Sequence, residues 1–190
     1  MRRRQNTPLQ IAARGLFGGM AGAIVLTGLL TVFRAASSTP DRDRDRSHKT
    51  GRGEQGITAG EALSEHPGLP PAIDRVTAIF VQKVATGIFG TSLTPRGQYF
   101  AGVAWHLVYG GFWGVVYAMV RSSADTPDLL LIPAHGLVVW LAGPGWLAPQ
   151  MDLMLYPGEQ RPRTLALMIG GHVTFSAAVA LLFRWFQGSD

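Results

Sequence analysis

Long uncharged stretches alternate with short polar segments along this chain. Four runs of 19, 24, 23 and 20 residues contain no Asp, Glu, Lys or Arg. A helix needs about 20 predominantly apolar residues to cross a bilayer core of about 30 Å, so each run is long enough to span a membrane. The pattern predicts an all-α integral membrane protein with four transmembrane helices, at residues 15–34, 98–120, 129–149 and 164–185.

A different pattern precedes the second span. Residues 70–93 begin with two prolines, which suit the first turn of a helix, and then show a helical apolar period instead of a continuous apolar run. Charged side chains within the segment would be costly inside the hydrocarbon core. We therefore expect an interfacial amphipathic helix, with a fifth span as the alternative. Its predicted apolar face consists of Ile73, Val76, Phe80, Val84 and Ile88.

Two segments lack apolar periodicity. Residues 1–14 form a basic N-terminal tail, and residues 35–69 form a linker in which Asp and Arg alternate over residues 41–46. Such a linker cannot bury enough apolar surface to offset the loss of chain entropy, so we expect it to be disordered. The first apolar run exceeds the roughly 7–15 residues of a signal peptide and ends at Arg34 rather than at a cleavage motif, so a retained first span is expected.

Composition narrows the class of protein. Charged residues make up 15% of the chain, below the roughly 25% of a soluble domain. The absence of cysteine excludes disulfides and thiolate metal sites. The net charge of +5 comes from cations at the N-terminus and around the spans, where we expect the lipid bilayer, and not nucleic acid, to be the partner. Phosphate loops, nucleophile elbows and HExxH motifs are absent, so neither an enzyme nor a cofactor is predicted.

Small residues recur at four-residue spacing within the spans. In a membrane, this spacing lets helix backbones approach closely and favours association with a second copy or with other membrane proteins. Gly15 and Gly19 form one such pair in the first span. The remaining residues predicted to pack helices are Gly18, Gly22, Gly102, Gly110, Gly114, Ser176 and Ala180.

Three spans carry one histidine each, and depth separates these histidines. His106 and His172 lie about eight residues into spans that run in the same direction, which places both about 10–12 Å below one surface. His135, in an antiparallel span, lies nearer the other surface and is expected to be alone. A three-histidine metal site is therefore not predicted. His106 and His172 form a candidate pair, for which hydrogen bonding between helices, proton or ion handling, and haem or metal ligation are the alternatives.

The second and fourth spans also share a pattern. Residues 106–117 and 172–183 both read His, aromatic at +3, small at +4, +5 and +8, and aromatic at +11. The match predicts that the first two and last two spans form two hairpins related by an axis along the membrane normal.

Four sequence motifs occur in order along the chain. They are Leu69-Pro70-Pro71-x-Ile73, His106-x-x-Tyr109-Gly110-x-x-x-Gly114-x-x-Tyr117, Gly136-x-x-x-Trp140-x-x-x-Pro144 and Gly171-His172-x-x-Phe175. Together they resemble the YagU-like group of small bacterial inner-membrane proteins, whose function is unknown. The resemblance covers about residues 15–30 and 68–185 and implies a bacterial cytoplasmic (inner) membrane protein with about four spans and no assigned catalytic residues.

The functional expectation follows from many packing residues and few polar ones. We expect a non-enzymatic structural or interaction component, acting as an oligomer or as a subunit of a membrane assembly. The alternative is a small transporter or an ion- or proton-conducting protein that uses His106 and His172. A weaker alternative is bis-histidine haem binding by the same two residues.

Overall fold

A computed structural model describes residues 7–37 and 75–188 of the chain, with side chains described for residues 7–28 and 76–187. Residues 1–6 of the predicted basic tail, residues 38–69 of the predicted linker and residues 70–74 of the 70–93 helix, including Ile73, lie outside the described residues. Residues 8–14 and 35–37, which were predicted to be tail and linker, are part of the first helix instead. Within the described ranges every regular element is helical.

Four of the helices are long and apolar enough to cross a membrane, as predicted, and the all-α class is confirmed. The fourth helix, α4 (Asp128–Trp140), continues as a π-helix over Leu141–Leu147 and ends with a short α-helical turn over Ala148–Gln150. A 3₁₀ turn over Pro157–Glu159 precedes the last helix. The helices are α1 (Pro8–Ser37), α2 (Arg75–Phe89), α3 (Pro95–Ser123), α4 (Asp128–Trp140) and α5 (Pro162–Gly188).

Local sequence explains where α1 and α3 begin. The Thr7 hydroxyl accepts a hydrogen bond from the Gln10 N–H (3.3 Å) while the Gln10 side chain accepts one from the Thr7 N–H (2.9 Å). This reciprocal arrangement satisfies two backbone donors at the start of α1. Thr94 caps α3 in a similar way, by accepting from the Gly97 N–H (3.2 Å), and Pro95 occupies the first helical position.

Proline explains the π-helical segment of the third span. Pro144 has no N–H to donate, and downstream the Ala148 N–H bonds the Gly143 carbonyl, five residues back. The Tyr109 hydroxyl from α3 donates to the Val139 carbonyl at 3.0 Å, just before the π-helix begins. The span therefore continues to Gln150 with its backbone supported by a neighbouring helix.

The closest helix contact in the bundle is between α1 and α3, which run antiparallel. A Cβ atom added to Gly15 would lie 2.6 Å from the Gly114 carbonyl oxygen, and one added to Gly19 would overlap the Gly110 carbonyl. Real Cβ atoms do not approach so closely, so these backbones touch only because no side chain intervenes. Gly110 and Gly114 thus pack against Gly15 and Gly19 of the same chain.

The other glycine pair of α1 faces α5. A Cβ atom on Gly22 would lie 3.0 Å from Val179 Cγ2, and one on Gly18 would lie 3.7 Å from the Val179 carbonyl. On the far side of α5, Gly136 of α4 fits against the backbone of Val173, with only 2.7 Å between a built Cβ and the Val173 Cα. Helix α1 therefore joins α3 to α5, and α5 in turn holds α4.

The core lies among these helices, and a charged cluster closes one end of it. Ser176 and Ala180 of α5 are buried there, and Gly102 is buried near the start of α3. At the end where α4 begins, the Asp128 carboxylate pairs with Arg121 of α3 (3.1 Å) and Arg184 of α5 (2.9 Å). Large or fully buried core side chains are Tyr117, Val139, Phe175, Val179 and Phe183.

Helix α2 exists as predicted, but it buries a different face. Its buried residues are Thr77, Ala78, Val81 and Ala85, whereas Ile88, expected on the apolar face, is 73% exposed. The helix runs antiparallel along the first half of α3, with Phe80 against Trp105 (ring centroids 4.5 Å apart) and Gln82 bonded to Gln98 (3.1 Å). Small side chains allow this close approach. A periodic pattern of large apolar residues does not mark such small residues as the buried face.

The glycine contact between α1 and α3 predicts a sharp position dependence for leucine substitutions. Gly114→Leu should destabilise the fold by more than the roughly 1–3 kcal/mol typical of overpacking, because the new side chain meets backbone that cannot move aside. Gly28→Leu is the matched control on α1, since a Cβ atom there meets nothing within 4 Å. Thermal unfolding in detergent, followed by circular dichroism, measures the difference; equal midpoints for the two variants would contradict the assignment.

Candidate functional site

His135 lies at the junction of three helices, with both ring nitrogens hydrogen-bonded. Its Nδ1 is 2.8 Å from the Ser176 hydroxyl on α5, and its Nε2 is 3.1 Å from the Trp113 carbonyl oxygen on α3. A carbonyl oxygen only accepts, so Nε2 carries the proton and Nδ1 accepts from the Ser176 hydroxyl when the ring is neutral. The side chain is buried and has no unused hydrogen-bonding group.

Aromatic rings surround the same imidazole. Tyr117, Trp113 and Phe175 have ring centroids 5.3, 5.9 and 6.4 Å from the His135 ring. No hydrogen bond joins His135 to another histidine in the described part of the chain, but its ring is bonded to groups on two other helices. Spacing along one span shows only that its depth differs from that of the other histidines; it does not reveal a serine partner on another helix. This arrangement joins α3, α4 and α5 and has the character of a structural contact.

His172 is held differently. Its Nδ1 lies 2.7 Å from the Met168 carbonyl oxygen, one turn earlier on α5. Nδ1 must therefore carry the proton, which leaves a lone pair on Nε2. Nε2 has no hydrogen-bond partner among the described residues. Nε2 is therefore the nitrogen of this ring that the hydrogen bonds of the described residues leave unused.

His106 occupies the facing position on α3. Its Nε2 is 3.4 Å from the Thr77 hydroxyl of α2, a long contact. The imidazoles of His106 and His172 are near enough to interact electrostatically, yet no hydrogen bond joins them in the described part of the chain. Of the predicted pair, His106 contacts Thr77 of α2, while the shorter hydrogen bonds between helices are made by His135, outside the pair.

Both helices that carry the pair pack against α1. A Cβ on Gly110, one turn beyond His106, would lie 2.7 Å from Ala23 Cβ, while one on Gly171, beside His172, would lie 3.6 Å from Leu26 Cδ1. Ala23 and Leu26 lie three residues apart on α1, which is less than one helical turn, so the two histidines lie at similar depth. This agrees with the depth estimated from the sequence.

His135 differs from His106 and His172 in how many of its ring nitrogens are hydrogen-bonded. We call His106 and His172 the histidine pair; it is the candidate functional site because Nδ1 of His106 and Nε2 of His172 have no hydrogen-bond partner among the described residues. Within residues 7–37 and 75–188, no group of three or more His, Asp or Glu side chains is placed to hold a metal ion. Thr77 was missed at the sequence level, since only the antiparallel packing of α2 on α3 brings it to His106.

The hydrogen bonds of His135 predict a graded loss of stability. Ser176→Ala removes one donor and should cost about 0.6–2 kcal/mol, the range for hydrogen bonds between membrane helices. His135→Ala should cost more, because it leaves a cavity and deprives the Trp113 carbonyl of its donor. Unfolding midpoints in detergent report both effects, with His172→Ala as the control histidine. A larger effect at His172 than at His135 would contradict this division of roles.

Comparison with protein-family profiles, with curated proteins and with solved structures finds no match to this chain. The resemblance to the YagU-like group therefore stays a prediction.

Proposed function

We propose that this protein is a non-enzymatic component of a membrane assembly, acting as an oligomer or as a subunit alongside other membrane proteins. Four apolar helices make it a multi-pass membrane protein by length and composition. Placement in a bacterial inner membrane rests on the resemblance to the YagU-like group and is part of the proposal.

The outer face of α5 carries this proposal. Gly170 is exposed, and a Cβ atom added there meets nothing within 4 Å. One turn later Thr174 is also exposed, and its hydroxyl bonds the Gly170 carbonyl (2.9 Å), so it presents only a small, satisfied surface. Small residues facing outward from a membrane helix let another helix approach closely. Gly15, Gly19, Gly110 and Gly114 of α1 and α3 already pack within the chain, but Gly170 does not.

Hydrogen bonds among the interior polar groups support a non-enzymatic role. Several of these polar groups bond to each other across helices, as His135 does with Ser176 and Tyr109 with the Val139 carbonyl. Groups engaged in this way rigidify the bundle and are not poised to react with a substrate. The protein then acts through the outer, lateral surface of its helix bundle.

A leucine at Gly170 tests the assembly role. Gly170→Leu should lower the oligomer fraction or the yield of co-purified partner, because the side chain blocks close helix approach, while the unfolding midpoint stays unchanged. Cross-linking in native membranes followed by size analysis measures the association. Gly28→Leu, at another open position, is the matched control. Wild-type cross-linking in Gly170→Leu would refute this surface, and a monomeric wild-type protein without partners would refute the assembly role.

Proton or ion conduction is the second candidate function, favoured by the free Nε2 of His172. An imidazole lone pair within a spanning helix, near a second imidazole, is a group that proton pathways use. Thr77 of α2 supplies a hydroxyl beside His106 and extends this polar group across three helices.

Flux in liposomes tests the second candidate. The reconstituted protein should pass protons or small cations in a pH-dependent manner, and His172→Ala should abolish the flux because the accepting nitrogen is lost. His135→Asn is the comparison variant, since it alters a histidine outside the pair. Flux that persists in both His106→Ala and His172→Ala would exclude the pair as the pathway.

A further inference from the structure

The charged cluster at one end of the bundle lies where three spans leave the membrane. Arg121 of α3 follows the uncharged run 97–120, Asp128 of α4 precedes the run 129–151, and Arg184 of α5 follows the run 164–183. The hydrocarbon core takes up the uncharged runs, because charged groups are costly there. The Asp128 carboxylate joins both guanidiniums, at 3.1 Å from Arg121 Nε and 2.9 Å from Arg184 Nη1. The cluster therefore lies at the boundary between the hydrocarbon core and the headgroups, on one side of the membrane.

Positive charge predominates at this end of the bundle. Two arginines share the one carboxylate of Asp128, and Asp125 is exposed in the neighbouring loop and pairs with neither arginine in the described part of the chain. Arg14 of α1 lies at the same end, since Gly15 beside it packs against Ala118 of α3. The charged residues described at this end are thus three arginines and two aspartates, which leaves a net positive charge.

Both arginines of the cluster keep hydrogen-bond donors that the protein does not use. A guanidinium carries five N–H groups in a planar fork. Nη1 and Nη2 of Arg121 and Nε and Nη2 of Arg184 have no hydrogen-bond or ion-pair partner among the described residues. The Arg184 side chain is 64% exposed and that of Arg121 is 32% exposed. Because one carboxylate fixes both guanidiniums, their remaining donors are held near each other before any anion binds.

The chemistry of these donors and their position select one class of ligand. Guanidinium forks bind phosphate oxygens through paired, charge-assisted hydrogen bonds. The phosphates of phospholipids lie just outside the hydrocarbon core, at the level of the cluster. A headgroup that also carries choline or ethanolamine would bring a cation to a site that is already positive. A headgroup with a net negative charge is therefore favoured.

The surface beside the arginines suits the remainder of a lipid. Leu181 and Trp185 lie on the same face of α5 as Arg184, and each is 67% exposed. Tryptophan is enriched at the interface between membrane and water, and Leu181 lies one turn deeper, at the level of the acyl chains. A soluble phosphate ion would gain nothing from this apolar surface, whereas a phospholipid would contact it with its acyl chains.

We propose that Arg121 and Arg184 bind the phosphate of an anionic phospholipid at this surface of the membrane. The sequence predicts only a general attraction of the cations to lipid, whereas the shared Asp128 carboxylate places two guanidiniums at one site. The lipid site is independent of the assembly role, because Gly170 and Thr174 are not among its residues and lie ten or more residues away from Arg184 along α5.

Lipid titration of the full-length protein in detergent tests the proposal. Native mass spectrometry counts the bound lipids as phosphatidylglycerol, or phosphatidylcholine with the same acyl chains, is added. One phosphatidylglycerol per chain should bind more tightly than phosphatidylcholine. Arg184→Gln should weaken phosphatidylglycerol binding by about tenfold, the order expected when a hydrogen bond to a charged group is lost. Arg184→Lys should weaken it less, because the charge stays and only the planar fork is lost.

An arginine at the opposite end of α5 provides the matched control. Arg163 is exposed, and Arg163→Gln removes the same charge from the same helix at the other membrane surface. This variant should bind the first phosphatidylglycerol as the wild type does. Equal losses in Arg163→Gln and Arg184→Gln would show a general attraction to anionic lipid and would overturn the proposal. Equal affinity of the wild-type protein for the two lipids would overturn it as well.

Lipid-induced thermal shifts keep the test decisive if Arg184→Gln lowers stability. Phosphatidylglycerol should raise the unfolding midpoint of the wild type, and this shift should shrink in Arg184→Gln whatever its midpoint without lipid. An equal shift with inorganic phosphate would assign the site to a soluble anion, against the proposal. Unchanged lipid binding but lost cross-linking in Arg184→Gln would assign the arginines to a partner chain instead. Gly170→Leu should bind the lipid normally, so a failed assembly role and a failed lipid site give different results.

Discussion

Backbone contact between α1 and α3 is the constraint on which the bundle depends. In a membrane, apolar side chains gain little by leaving lipid for protein, so helix association relies on close packing and interhelical hydrogen bonds. Gly15, Gly19, Gly110 and Gly114 bring two backbones together with no side chain between them. A second glycine face on α1 then receives α5, so one helix positions two others.

The hydrogen bonds within the bundle depend on that packing. His135 reaches Ser176 and the Trp113 carbonyl only because α3, α4 and α5 are held at fixed distances. The Tyr109 hydroxyl likewise reaches the Val139 carbonyl beside the π-helix, where Pro144 cannot donate. Close packing creates the geometry, and the polar contacts make it specific. At the end of the core, Asp128 links α3, α4 and α5 through charge.

The histidines show how hydrogen-bond satisfaction distinguishes structural from functional polar groups. A buried imidazole with both nitrogens engaged contributes to the fold, as at His135. An imidazole with one nitrogen fixed and the other free keeps a ligand atom available, as at His172.

Sequence alone determined the class, the four spans and the level of the histidine pair, because each depends on chain length, helical rise and the cost of burying charge. It also indicated which glycines allow close packing. It did not determine their partners: Gly110 faces Gly19 only once α1 and α3 are side by side. The buried face of α2 and the Ser176 partner of His135 were also decided by tertiary structure. Contacts between helices depend on how each helix is rotated and how deep it lies relative to its neighbours, and the residue pattern of a single helix does not give either quantity.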